Sequence, residues 1–215
     1  KPKDREQMLF NLSLRSAFQW MPATPLIVPQ MRKERGRIEA EEAGTRSAED
    51  WLSLSEIYLA LDGKEKAKTA LNQARYQGLR GSQTARADLI DALIAGSENR
   101  YRDAAVLFDK ARPRLDGKRS AIAAYGGYFA RSLADPNHVE QPPRFANSGY
   151  AAMAKAWTAG FREDIPAALA SIREGERNTP GDPTLPGVRA QLGILLADEK
   201  EVVDGFERAL ALDPE

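Results

Sequence analysis

A short pattern within residues 47–79 sets the strongest limit on how this chain can fold. Apolar and small residues recur there at three- and four-residue spacing on both sides of Asp62-Gly63, as in two helices joined by a tight turn. The pattern residues are Trp51, Leu54, Ser55 and Tyr58 before the turn, and Ala67, Leu71 and Ala74 after it. Ser47, with acids soon after it, is a typical start for the first helix. The segment therefore predicts a helical hairpin.

The second half of this pattern returns along the chain. Three further segments have the same spacing. Each has a small residue or valine, then a large apolar residue four positions later, then a small residue three positions after that. They are Ala104, Phe108 and Ala111; Ala168, Ile172 and Gly175; and Val202, Phe206 and Ala209. Ala168 and Val202 are 34 residues apart, as are Ile172 and Phe206. A constant spacing of this kind indicates a repeat protein built of helical hairpins.

The pattern W-x2-L-S-x2-Y followed by A-x3-L-x2-A resembles the tetratricopeptide repeat, whose signature is W-x2-L-G-x2-Y…A-x3-F…P with a period of about 34 residues. Ser55 stands where the family has glycine, and Leu79 stands where proline is common. The resemblance covers about residues 48–215 and implies an all-α, right-handed superhelical solenoid of about five antiparallel hairpins. The implied repeats span residues 48–81, 85–118, 119–148, 149–182 and 183–215, and the third is degenerate.

The third repeat is incomplete because only its first helix has the expected pattern. Ile122, Tyr125, Gly126 and Phe129 fit that helix, whereas the prolines of residues 135–148 exclude a regular second helix. We expect a loop or a short strained helix in this segment. An irregular segment on a rigid scaffold is a frequent place for function.

Residues 1–46 precede the repeats. Apolar residues at helical spacing predict an amphipathic helix over residues 1–21, followed by an extended, proline-rich link that ends at Pro29. A charged helix is predicted from Met31 to Ala43. The amphipathic helix either caps the first repeat or docks on a partner, and the sequence leaves both interpretations open.

The composition excludes several classes of active site. The chain has no cysteine, which excludes disulfides and thiol catalysis, and its only histidine is His138. A lone histidine in a loop is a poor basis for a zinc site, and there is no phosphate-binding glycine loop or serine-hydrolase motif. The 31 basic and 31 acidic residues cancel, which leaves no net field to attract nucleic acid. We therefore expect no catalytic residue, metal, cofactor or nucleic-acid partner.

The resemblance also implies where a partner would bind. In tetratricopeptide proteins, the first helices of the repeats line a concave groove that holds an extended peptide or a partner helix. On this chain those positions are Glu49, Leu52, Glu56 and Leu59 in the first repeat, Arg86, Leu89 and Leu93 in the second, and Tyr150, Met153, Trp157 and Phe161 in the fourth. In the fourth repeat, Ala152, Ala156 and Ala159 lie on the opposite face. If the alanines face the core, the large residues must face the groove. There they are either exposed for a partner or covered by the loop of residues 135–148 or the N-terminal helix, and the sequence leaves both interpretations open.

These features predict a non-enzymatic scaffold that binds a protein or peptide within a larger assembly. Alanine-rich repeats of this style look like those of bacterial cell-envelope machines, such as exopolysaccharide synthesis and export, with the periplasm favoured over the cytoplasm. The alternatives are a structural spacer, and a regulatory appendage of an enzyme or membrane protein. No apolar run is long enough to span a bilayer. Since the chain starts at Lys1 and stops at Glu215, we expect flanking sequence that can tether a soluble fragment to a membrane.

The end of the fifth repeat is expected to be open. Phe206 and Leu210 present a surface that a further hairpin or a capping helix would cover. Terminal repeats without a polar cap leave such a surface exposed. We therefore expect exposed apolar side chains on the last helix.

Overall fold

The computed structural model describes residues 23–24, 26, 28–61, 63–135, 141–142, 144–145, 148–162, 164–182 and 184–212. These residues form ten α-helices and one 3-10 turn, and none of them lies in a β-strand. The prediction of an all-α fold is confirmed for this part of the chain. The amphipathic helix predicted over residues 1–21, and His138, lie outside the described residues.

The chain divides into two compact units, whose boundary lies in the last turn of a helix, between Arg131 and Ser132. The helices of the first unit are α1 (Val28–Glu39), α2 (Ala48–Leu61), α3 (Lys64–Tyr76), α4 (Ser82–Ser97), α5 (Tyr101–Ala111), the 3-10 turn Arg112–Arg114 and α6 (Gly117–Ala134). Those of the second unit are α7 (Ser148–Phe161), α8 (Ile165–Asn178), α9 (Thr184–Leu196) and α10 (Glu199–Leu212). Consecutive helices pack in pairs: α2 with α3, α4 with α5, α7 with α8, and α9 with α10.

The α2–α3 hairpin follows the pattern that predicted it. Ser47 caps α2, since its Oγ accepts from the Asp50 amide at 3.2 Å and its own amide donates to Asp50 Oδ2 at 3.0 Å. Ser55 is buried, and its hydroxyl donates to the Ala67 carbonyl at 2.7 Å across the hairpin. That bond satisfies a polar group inside the core. Gly63 takes φ 95°, which glycine adopts without strain, and links α2 to α3.

The core of this hairpin is shared with the helix that follows it. Its buried cluster contains Leu52, Leu71, Ala74, Ala87, Ile90 and Ile94. The last three of these residues belong to α4, which packs against both α2 and α3. A short hairpin cannot bury its apolar residues alone, so its stability depends on this contact between neighbours.

Helices α5 and α6 meet at a glycine. Phe108 of α5 is fully buried, and a Cβ built on Gly127 of α6 would lie 3.3 Å from the Phe108 Cβ. Within α6, the rings of Tyr125 and Phe129 are buried and stack with their centroids 6.2 Å apart. Of the segment 135–147, the structure describes only residues 135, 141–142 and 144–145, and none of these is helical. The rest of the predicted loop or short helix lies outside the described residues.

Small residues allow the helices of the second unit to approach closely. A Cβ on Gly175 of α8 would lie 2.5 Å from the Cβ of Ala152 on α7 and 3.3 Å from Leu185 on α9. A Cβ on Gly205 of α10 would lie 2.8 Å from the carbonyl oxygen of Pro186 on α9. Packed atoms do not tolerate contacts this short, so glycine is required at both positions.

The segment before α2 differs from its prediction. Val28 and Pro29 lie in the first turn of α1, where an extended link was expected. Proline fits the first turn of a helix because its missing amide has no partner to lose there. Helix α1 ends at Glu39, short of the predicted Ala43. Arg46 donates to carbonyl oxygens at and just after this end, which satisfies acceptors that the longer helix would have used.

Candidate partner-binding surfaces

A buried carboxylate, Glu56, joins three helices of the first unit. It lies on α2 and is 1% exposed. Arg86 of α4 donates to its Oε1 and Oε2 at 2.9 Å each, and Arg119 of α6 also donates to both oxygens at 2.9 Å. Bidentate arginine–carboxylate pairs are strong and directional. We call these three side chains the Glu56 cluster.

Two further acids bond to the Glu56 cluster at its edges. Glu49 Oε1 accepts from Arg86 Nη1, and Asp116 Oδ2 accepts from Arg119 Nη1 at 2.9 Å. Burial alone lowers the pKa of Arg119, but the hydrogen bonds and charge of Glu56 outweigh burial and raise that pKa above the ordinary arginine value. The charged groups of the cluster are therefore satisfied within the chain.

The charged residues that were expected to line the groove lie close together in the structure. Glu49, Glu56 and Arg86 were all expected in the groove, and all three meet in or beside the Glu56 cluster. Arg119 was missed. It follows Arg86 by 33 residues, which is about one repeat, and this spacing is the signal that would have found it.

The leucines predicted beside these charges lie in or against the core. Leu52, Leu89 and Leu93 are buried, and Leu59 is half-buried. The prediction gave α4 an open face, but α2, α3, α5 and the 3-10 turn all pack against it. These residues therefore pack against neighbouring helices, and the expectation of an exposed apolar wall is wrong for them.

The aromatic face predicted on α7 is not open either. Met153 and Trp157 are 3% and 4% exposed, and Tyr150 and Phe161 are half-buried. Ala152, on the opposite face, is buried against Gly175 as expected. Of the two interpretations of this face, burial of Met153 and Trp157 favours the covered one, since a helix packed through its alanines need not leave its large residues in water. Helix α7 is covered on both faces.

Exposed apolar residues of the second unit lie on α10 instead. Val203, Phe206 and Leu210 are 46%, 46% and 60% exposed. Their spacing of three and four residues puts them on one face of the helix, which we call the α10 stripe. Ile194, near the end of α9, is exposed as well. The expectation that Phe206 and Leu210 present an open surface is confirmed.

The position of Phe206 is covered in the other three hairpins. Its counterparts Leu71, Phe108 and Ile172 are 2%, 0% and 0% exposed. Leu71 packs on α4, Phe108 lies against Gly127 of α6, and α9 packs on the helix that carries Ile172. In each case the next helix along the chain supplies the cover. No helix follows α10 in the described residues, and the same face is exposed.

A cavity of about 490 Å³ lies beside α10. Its lining residues are Glu176, Thr179, Pro180, Asp182, Pro186, Arg189, Asp204, Glu207 and Arg208. Arg189 Nη1 donates to Glu176 Oε2 at 3.0 Å, and its Nε lies 3.6 Å from Glu201 Oε2. The Oε1 of Glu176 is buried without a hydrogen-bond partner among the described residues. Burial therefore raises the pKa of Glu176, against the lowering effect of Arg189 and with the help of the Glu201 charge.

We expect Glu176→Gln to stabilise the protein at pH 7, by up to about 1 kcal/mol, the scale of one poorly made hydrogen bond. Because the pKa of Glu176 is raised in the folded state, its contribution to stability is full at low pH and is lost as the pH rises through the folded value. The gain from glutamine, which has no charge to bury, should therefore be smaller at pH 4 than at pH 7. Urea unfolding of the variant and the wild type at both pH values measures this difference in stability.

Glu174→Gln is the control for this prediction, since Glu174 lies on the same helix and is exposed. We expect no gain at pH 7 from this substitution. A Glu176→Gln protein that is less stable than the wild type at pH 7 would contradict the burial of an incompletely bonded carboxylate.

Neither the search for metal-binding groups nor the comparison with known proteins indicates a function for this chain. In the part of the chain that the structure describes, no group of three or more His, Cys, Asp or Glu side chains is placed to hold a metal ion. None of the described helices is long and apolar enough to cross a membrane. Comparison with protein-family models, with curated proteins and with solved structures finds no match. The tetratricopeptide resemblance therefore stays a prediction from the residue pattern.

Proposed function

We propose that this chain is a non-enzymatic helical scaffold that binds a helix of a partner protein on its α10 stripe. The observation that carries the proposal is the exposure of Phe206 at a position where Leu71, Phe108 and Ile172 are buried. A neighbouring helix covers each of those three residues, so a helix also fits the open face of α10. The partner helix packs on α10 in the way that the next helix of the chain packs on each of the other hairpins.

The α10 stripe supplies only part of the binding free energy. Fully burying a Val, Leu or Phe side chain contributes about 1.5–3 kcal/mol, and the three residues of the stripe are already about half covered. Their further burial therefore contributes roughly 3–4 kcal/mol in total. Association costs about 4 kcal/mol or more in lost translational and rotational freedom. The partner must therefore make further contacts around the stripe.

Selection from a library of helical peptides displayed on yeast tests this proposal without knowledge of the partner. We expect the selected helices to slow hydrogen exchange in α10, and Phe206→Ser to weaken their binding at least about tenfold, as for a central interface residue. Val106→Ser is the matched control because Val106 is also an exposed apolar residue, on α5 in the other unit. It should leave binding unchanged.

Three results would contradict the proposal. Selected helices could bind both variants equally well, or they could protect a part of the chain other than α10. Light scattering could instead show a dimer of the chain with α10 protected, so that a second copy covers the stripe. Neither Phe206 nor Val106 belongs to the buried core, so both variants are expected to fold, although Phe206→Ser, at the more covered position, should be the less stable of the two.

A spacer role has separate support in the first unit. The charged residues predicted for its groove bond to one another in and around the Glu56 cluster, and the leucines beside them are buried or half-buried. A surface filled by its own side chains favours a structural function for helices α1–α6. The bacterial cell-envelope setting and the role of a regulatory appendage stay predictions from the sequence.

A further inference from the structure

We infer that the helix bound by the α10 stripe is basic, with lysine or arginine residues bordering its apolar face. This inference rests on the proposed function and specifies the chemistry of the partner. It is drawn from two observations: the acids that border the stripe, and the charge of the cavity beside them.

Two carboxylates border the α10 stripe without a partner of their own. Glu199 lies one turn before Val203, and Glu207 lies one turn after Val203 and one turn before Leu210. Neither side chain forms an ion pair or a hydrogen bond with another residue in the described part of the chain. Complementary charge across an interface selects the partner and speeds its association. These two acids therefore favour cationic residues on the incoming helix.

The cavity next to Glu207 has an excess of acid. Its charged lining residues are the acids Glu176, Asp182, Asp204 and Glu207 and the bases Arg189 and Arg208. Arg189 is engaged by Glu176 and Glu201, and Arg208 donates to the carbonyl of Pro180 at 3.0 Å. Lys200 pairs with Asp204. Arg208 keeps its positive charge beside Asp182 and Glu207, so the four lining acids exceed these three cations by one. The lining therefore carries a small net negative charge, which favours a cation.

The size of the cavity suits the end of a long cationic side chain. Its volume of about 490 Å³ is many times that of a water molecule, about 30 Å³ in the liquid. A lysine or arginine on the border of the partner helix can enter it while the apolar face of that helix covers Phe206. An ammonium or guanidinium group there supplies donors for the exposed carboxylate of Glu207.

Three synthetic helices with the same apolar face test this inference. Each has leucine and phenylalanine at the positions that face the stripe, and its bordering positions are all lysine, all glutamine or all glutamate. We expect the lysine helix to bind at least about tenfold more tightly than the glutamine helix at low salt, and the glutamate helix to bind most weakly. These differences should shrink as salt is added, because salt screens exposed charges. Fluorescence titration against the full chain measures the dissociation constants.

Variants of the chain identify the acids responsible. Glu207→Gln should weaken binding of the lysine helix by about fivefold and leave the glutamine helix unaffected. Glu42→Gln is the matched control, since Glu42 is an exposed acid in the first unit, and it should change neither. Phe206→Ser should weaken both helices.

The outcomes separate this inference from the proposed function. If the three helices bind equally well and Phe206→Ser weakens each of them, the inference of a basic partner is wrong and the proposed function is unaffected. No binding of any helix at millimolar concentration would overturn the proposed function and the inference together. Binding of the lysine helix that is insensitive to Phe206→Ser would show non-specific attraction between charges, and would also overturn the inference.

Discussion

Replacing Glu56 by glutamine is expected to lower the free energy of unfolding by about 3–5 kcal/mol, the usual cost of removing one member of a buried ion pair. Glutamine has nearly the shape of glutamate, so the change removes a negative charge from between Arg86 and Arg119 without opening a void. The two guanidinium groups are then balanced only by the acids at the edges, Glu49 and Asp116. Urea unfolding followed by circular dichroism measures the loss.

Glu49→Gln is the control for the Glu56 prediction. Glu49 bonds to the same arginine, but its side chain is 56% exposed, and an exposed ion pair contributes only about 0–1 kcal/mol. The two substitutions remove the same charge and differ in burial. Equal losses in both variants would contradict the central place of Glu56 in the first unit.

Replacing the whole Glu56 cluster by apolar residues should recover most of the stability. Buried ion pairs that are exchanged together for hydrophobic residues of similar volume often leave stability unchanged or raise it. We therefore expect the triple variant Glu56→Leu, Arg86→Met, Arg119→Met to lie within about 1 kcal/mol of the wild type. That result would show that the cluster contributes little net stability. Its role would then be to orient α2, α4 and α6 relative to one another.

The helical hairpins could be predicted because their signals are local. Ser55 and Ala67 are small where two helices meet, and the structure joins them by a hydrogen bond across the hairpin. Gly175 shows the same rule in the second unit, since a single added carbon would collide with Ala152. Steric limits of this kind act over one turn or one hairpin. A sequence pattern therefore reveals them directly.

The sequence could not predict in the same way which helix faces are buried by neighbouring elements. The spacing of Met153 and Trp157 shows that they share a face, but whether that face meets water depends on residues that are distant in the sequence. Trp157 is accordingly buried, whereas Phe206, which was expected to be exposed because it lies on the last helix of the repeats, is exposed. Arg119 was missed for a related reason. Long charged side chains reach across three helices, and their pairing follows from the packing of the helices.

Phe108→Ala should be the other large loss of stability, again about 3–5 kcal/mol, the range measured for buried phenylalanines. The cost depends on how far the neighbours can move into the space that the ring leaves. Here they can move little, because α6 already approaches through Gly127, which has no side chain to extend toward α5. We therefore expect the upper part of this range. Thermal and urea unfolding give the total loss.

Val106→Ala is the matched control for Phe108→Ala, two residues away on the same helix. Val106 is 68% exposed, so its truncation should change the free energy of unfolding by less than about 0.5 kcal/mol. Since the Phe108 ring lies against Gly127 of α6, faster hydrogen exchange in the Phe108 variant should be concentrated in α5 and α6. An unchanged melting temperature, or equal effects of the two substitutions, would mean that the contact between α5 and α6 does not depend on this ring.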